Sequence, residues 1–121
     1  MPRKVMAAVD DMLFAAKIRA TAEQLDVEVR FVRGADALLA SARETKPDLI
    51  IIDLQSQKLD AIELAKDLKS HAELREISLL GFYSHVLADL QRSAIEAGFD
   101  SVVPRSVFSR DLAKILAGGS E

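Results

Sequence analysis

The chain has 121 residues, half of them hydrophobic and 29% charged, with a net charge of −3 and no cysteine. A single domain of that length buries roughly two-thirds of its unfolded surface, and the composition argues against a disordered chain, a nucleic-acid-coating protein or a membrane-spanning one. Disulfides and thiolate metal sites are excluded, and with no leader-like run the chain is expected in the cytoplasm.

Strand and helix alternate along the sequence. Lys4-Val5-Met6-Ala7-Ala8-Val9 reads as a short apolar strand stopped by Asp10-Asp11, after which Phe14, Ile18, Ala22 and Leu25 fall on one helical face. Residues 27–32 alternate apolar and polar as a half-covered strand does; Gly34 breaks the run before a helix carrying Leu38, Leu39 and Ala42. Pro47 then launches Asp48-Leu49-Ile50-Ile51-Ile52-Asp53-Leu54, the pattern of a central strand buried on both faces and closed by a carboxylate. A polar loop, 55–58, leads to a helix with Ala61, Leu64, Ala65 and Leu68 at core spacing. Residues 77–82 form a fourth strand, Leu87, Leu90, Ala94 and Ala97 stripe a fourth helix capped by Gly98, and 101–103 are a brief fifth strand with Pro104 at its exit. Phe108, Leu112 and Ile115 give the last helix its inner face, and residues 119–121 read as a loose tail beyond a core of about 4–116.

Five β-α steps predict a doubly wound, flavodoxin-like sandwich of parallel strands with helices on both faces, since an eight-stranded barrel needs about twice the length. The third strand is the most uniformly apolar and the second the most amphipathic, so the expected order is 2-1-3-4-5, with the exits of strands one and three side by side at the switch point. A buried strand cannot hold an unpaired charge, so Asp53 belongs where the strand leaves the core. That geometry brings Asp10, Asp11 and Asp53 into one pocket, where three carboxylates demand either a proton or a cation. With oxygen donors alone the natural cation is Mg²⁺. A carboxylate so placed is also a candidate nucleophile toward a phosphoryl group, and the fork of Arg105, beyond strand five, can hold phosphate oxygens.

These residues resemble the receiver domains of bacterial two-component response regulators, from Lys4 to about Leu116. The likeness rests on Asp10-Asp11, on the strand ending in Asp53, on Asp60 seven residues later, and on Ala97-Gly98 before strand five. It implies that a histidine kinase or phosphotransfer protein phosphorylates Asp53 and that Asp10 and Asp11, with Asp53 and the main-chain carbonyl of Gln55, hold Mg²⁺. It also implies that a downstream protein reads the face of helix four, strand five and helix five, with Val86, Leu90, Val102 and Phe108 as candidate contacts wherever exposed. The chain departs from the family at the switch hydroxyl, where Tyr83 stands with Ser84 one place later. It departs again at the Lys-Pro pair, here Arg105-Ser106 with the proline displaced to Pro104, and at the strand-five aromatic, here Val102. In the loop after Asp53, Ser56-Gln57 replaces Met-Pro, and Ala61 replaces the Gly after the loop aspartate.

Plainer readings stand beside these. Asp10 or Asp11 could cap the first helix, Asp53 could be a turn residue, Arg105 an isolated surface arginine, and Tyr83 and Ser84 ordinary loop residues. His71 and His85 read as solvated, with no partner at metal-ligand spacing. Scattered Lys and Arg give no nucleic-acid footprint. The leading expectation is a stand-alone phosphoacceptor receiver, a signalling domain rather than an enzyme, monomeric or weakly dimeric. The alternative is a pseudo-receiver acting as a phosphorylation-independent interaction module, which an Arg105 locked onto the acidic pair would favour. A small enzyme or cofactor binder ranks third, lacking a Gly-rich phosphate loop and a base beside a nucleophile.

Overall fold

The computed structural model describes residues 3–84 and 88–118. Five strands, β1 (Lys4–Ala8), β2 (Glu28–Phe31), β3 (Leu49–Asp53), β4 (Ser78–Tyr83) and β5 (Ser101–Pro104), pair in parallel in the order β2-β1-β3-β4-β5. The helices are α1 (Met12–Leu25), α2 (Ala35–Thr45), α3 (Ala61–Ser70), α4 (Ala88–Ala97), α5 (Arg105–Arg110) and α6 (Leu112–Ala117).

The unbroken apolar run of β3 follows from burial on both sides. Ile50 and Ile52 join the core beneath α2, α3 and α4 with Leu38, Leu64 and Ala94, while Leu49 and Ile51 join the opposite core with Phe14, Phe108 and Leu112 of α1, α5 and α6. Each such side chain contributes about 1.5–3 kcal/mol by leaving water. The amphipathic β2 lies at the sheet edge, where alternate residues stay exposed. Register then sets the rim: Ala8, the last residue of β1, is opposite Ile52, so β3 runs one residue further to Asp53, opposite Phe82 of β4.

The helical stripes hold with three adjustments. All four inward residues of α3 are buried, as are Phe14, Ile18 and Ala22 of α1, but Leu25 is 37% exposed because the helix ends there, with Asp26 in the left-handed region at φ 58°. Ala94 and Ala97 of α4 are buried and Leu90 is partly so; Leu87 lies outside the described residues. The last helix, expected to be continuous, is broken at Asp111 (φ −101°, ψ 14°), whose carboxylate accepts two hydrogen bonds from the neighbouring Arg110 guanidinium at 3.0 and 3.1 Å. The buried stripe is therefore Phe108, Leu112 and Leu116, and Leu116 takes the deep position expected of Ile115. The loose tail expected at 119–121 lies outside the described residues.

One packing feature positions the site. Phe82 of β4 stacks on Phe108 at 5.0 Å, and Phe14 of α1 meets Phe82 edge-on at 5.2 Å, a pairing worth about 0.5–1.5 kcal/mol beyond the area it buries. This cluster ties the first turn of α1 and the short α5 to the exit of β4.

Candidate functional site

Asp53 is half-buried at the carboxyl end of β3. Its Oδ1 accepts a hydrogen bond from the main-chain N–H of Gln55 at 2.9 Å. Burial is the main cause that lifts its proton affinity above the ordinary carboxylate value of 3.8. The charges of Asp10 and Asp11 push the same way, whereas the Gln55 N–H and Arg105 act against them. The acids foreseen from sequence thus do meet electrostatically at this rim.

Their side chains are nonetheless turned to separate partners. Asp10 Oδ2 accepts from the Ser56 hydroxyl at 2.7 Å. Asp11 caps α1, its Oδ1 accepting from the N–H groups of Leu13 and Phe14 at 2.9 and 3.2 Å, as an Asp before a helix does. Its other oxygen, Oδ2, accepts from Arg105 Nη2 at 2.5 Å. That guanidinium bond is the largest of the influences holding the Asp11 carboxyl below its ordinary range. Arg105 reaches this position because it opens α5 directly after Pro104 and lies over the Phe14 ring, 4.4 Å from its centroid. The Arg105–Asp11 pair is partly exposed, at 37% and 40% of the two side chains, so water screens its charges.

Among the described residues no group of three or more His, Cys, Asp or Glu side chains is arranged to hold a metal ion. Two of the acids expected to form the cradle have side-chain partners here, Asp11 with Arg105 and Asp10 with Ser56. The donor chemistry still suits a hard dication. The rim offers carboxylate oxygens, and Asp53 carries a repulsion that a nearby cation relieves.

Tyr83 does not face this pocket. It is 5% exposed in the core below α4, and its hydroxyl accepts from Gln91 Nε2 at 2.6 Å. Ser84 takes part through its main chain, its N–H donating to the side-chain Oε1 of Gln55 at 2.7 Å.

A model of the response regulator receiver domain matches residues 5–117. The chain belongs to the response regulator receiver domain family. Receivers of this family serve two-component signalling, and the relatives of this one include the polar-differentiation response regulator DivK of Brucella anthropi, 27% identical over 88% of this chain and 87% of that protein. The response regulator VraR of Staphylococcus aureus is 33% identical over 74% of this chain, which spans less than half of that longer protein. In structure this receiver resembles the chemotaxis regulator CheY4 of Vibrio cholerae, with TM-score 0.84 and 18% identity over 97% and 98% of the two chains. It also resembles the receiver domain of the sensor histidine kinase PA1611 of Pseudomonas aeruginosa, solved with a magnesium ion in its active-site cleft, with TM-score 0.82 and 17% identity over 96% and 95%.

Seen as a receiver, the chain corrects some sequence expectations. Phe108 is wholly buried and cannot be a docking contact; Leu90 and Val102 pack against the core, and Val86 lies outside the described residues. On the same side of the sheet, Ile95 of α4 is 61% exposed. Asp60 caps α3 through the Glu63 N–H at 3.1 Å. His71 sits at the far end of α3 beside Arg43, and His85 lies outside the described residues. No helix among the described residues is long and apolar enough to cross a membrane. The sequence marks Ser56 only as a departure from the family's Met, not as a partner of Asp10, and gives no sign of the roles of Gln91 and the Gln55 side chain. Phe14 it read as core alone, which hid the ring's second use under Arg105.

Proposed function

We propose that this receiver accepts a phosphoryl group on Asp53 from a histidine kinase or phosphotransfer protein and that residues 1–121 act as one signalling unit. The observation that supports this most is a half-buried carboxylate at the exit of the central strand, raised in proton affinity by burial and by two neighbouring acids, with a guanidinium beside it. In the transfer, a deprotonated Asp53 oxygen attacks the donor phosphorus; the new O–P bond forms as the bond from phosphorus to the donor's leaving group breaks, and the leaving group departs with that electron pair. Asp10, Asp11, Asp53 and the main-chain carbonyl of Gln55 are the residues that would hold Mg²⁺. When bound, the ion offsets charge on the transferring group and its acceptor. Arg105, freed from Asp11, is the residue for the phosphoryl oxygens. Phosphorylation adds about −1.5 to −2 charges to the rim, and the partner face is that of α4, β5 and α5, with Ile95 as its exposed apolar residue.

The test is mass spectrometry after incubation with acetyl phosphate and Mg²⁺. One acid-labile phosphoryl group is expected on the wild-type chain and none on Asp53→Asn. A wild-type chain that takes no label and binds no Mg²⁺ in titration would instead be a pseudo-receiver. That second reading draws on the Arg105–Asp11 pair and on a Tyr83 hydroxyl already spent on Gln91.

A further inference from the structure

The parting of connections that opens the rim between β1 and β3 recurs on the other side of β1. β1 and β2 stay in register as far as Ala7 and Phe31, and the Val32 N–H still reaches the Ala7 carbonyl at 3.0 Å. Beyond that rung the chain leaves β1 for α1, packed on one core, and leaves β2 for α2, packed on the other. Connections that turn to opposite faces leave a crevice outside the strand ends, where parallel sheets bind ligands. Here the crevice is a cavity of about 170 Å³.

Its walls are chemically mixed. Met12, Ala15 and Arg19 line it from one stripe of α1, at the i, i+3, i+7 spacing beside the buried stripe of Phe14 and Ile18, and Phe31 and Val32 line it from the exit of β2. Met12 is 78% exposed, apolar surface that the fold leaves in water. Arg19 lies over the Phe31 ring, 4.8 Å from its centroid, and Arg33 follows two residues later in the lining; neither guanidinium has a carboxylate partner among the described residues. Asp10 is the one acid among the described lining residues, so two guanidinium groups against one carboxylate leave the wall net positive. The larger cavity at the amino rim, about 380 Å³, has its charges spent inside the fold: Arg3 on the Leu116 carbonyl, Asp48 and Asp100 on main-chain N–H groups.

We infer that the cleft between the exits of β1 and β2 binds a small aromatic monocarboxylate, its ring against Met12 and Phe31 and its carboxylate on Arg33 and Arg19. A planar guanidinium holds a carboxylate by two parallel hydrogen bonds. An apolar cavity of about 150 Å³ is enough for one benzene ring, and a thioether makes favourable contacts with ring edges. Volume and charge together select one ring bearing one negative charge, since a dianion would be repelled by Asp10. The site goes beyond the phosphoacceptor reading and adjoins the acidic rim through Asp10, whose Oδ2 accepts from Ser56.

The test is an NMR titration of the unmodified chain, without Mg²⁺ or phosphodonor, using sodium benzoate as the probe, benzamide as its neutral isostere and acetate as an anion without a ring, at fixed ionic strength. Benzoate is expected to shift the Met12 methyl and the Ala15, Val32 and Asp10 amides along one saturable curve, with Kd on the order of 1 mM for a ligand of this size. Benzamide binds roughly tenfold more weakly, acetate gives no saturable shift, and Arg19→Gln with Arg33→Gln together weaken benzoate binding about tenfold. Both arginines are exposed, so the double variant keeps the fold, which unchanged Ile51 and Phe82 signals verify. Benzoate shifts that stay linear in concentration overturn the inference, as do equal affinities for benzoate and benzamide, acetate that saturates the same residues, or a double variant that binds as the wild type does. Labelling of Asp53 is measured separately, so the failure of either reading is told apart from failure of the other.

Discussion

The two rims of the sheet use the same residue type in opposite ways. At the amino rim, Asp48 accepts from the Lys4 N–H at 2.9 Å, and Asp100 accepts from the Leu79 N–H at 2.8 Å with Lys69 alongside at 3.6 Å. Each acid there fastens a neighbouring strand start. At the carboxyl rim Asp10, Asp11 and Asp53 share one region, and the same chemistry yields opposite protonation biases: Asp53 up, through burial first, and Asp11 down, through Arg105 first. Main-chain donors serve the acids of both rims, Asp53 and Asp11 included; what sets the carboxyl rim apart is that neighbouring acids and Arg105 also act on its carboxylates.

The contrast breaks most severely by removing its platform. Phe14→Ala empties a buried ring site and takes away the surface on which Arg105 lies, so a loss of about 3–5 kcal/mol in urea unfolding is expected, together with a weaker Arg105–Asp11 pair. Asp100→Ala sharpens the contrast from the other side. It costs about 1 kcal/mol of stability, as the loss of one hydrogen bond does, and leaves phosphoryl labelling of Asp53 at the wild-type rate. A fall in labelling with Asp100→Ala would mean that the rims are not independent.

The smallest effect is the most diagnostic, because its sign differs within one rim. A carboxyl whose proton affinity rises on folding costs stability once ionised, and the cost appears as pH climbs through and above the ordinary value of 3.8. Asp53→Asn without metal should therefore raise the melting temperature at pH 7, the gain fading as pH falls below the carboxylate range. Asp11 runs the other way. Its lowered affinity contributes stability above 3.8 that is lost as pH falls through its folded value. Asp11→Asn, which keeps a capping oxygen but loses the charge, should lower the melting temperature at pH 7 and match wild type in acid. Thermal scans from pH 3 to 7 decide both. A shared sign would show that crowding or pairing alone governs the rim. The Arg105 bond is what separates the two acids.

How far the sequence could be read follows from the physics of each element. Ile50, Ile51 and Ile52 announce a central strand because burial on both faces leaves no polar position, and the strand order and the place of Asp53 follow from that. The convergence of Asp10 and Asp11 on the same rim was equally legible, as a consequence of parallel register. Arg105 was placed at the rim, yet its choice of Asp11, 94 positions away, depends on a ring beneath it that periodicity marks only as core. Tyr83 reads as a pocket residue when counted from the strand. Its inward turn requires a hydrogen-bond partner for the buried hydroxyl, and Gln91, on a separate helix, carries no sign of that task. The break at Asp111 falls inside an otherwise regular helical pattern, which periodicity does not resolve.

The buried Tyr83 has an optical consequence. The chain contains one tyrosine and no tryptophan, so its intrinsic ultraviolet emission comes from one ring, whose hydroxyl is bound to α4. Any event that parts β4 from α4 changes the quenching of that lone fluorophore, giving a label-free optical gauge of this joint.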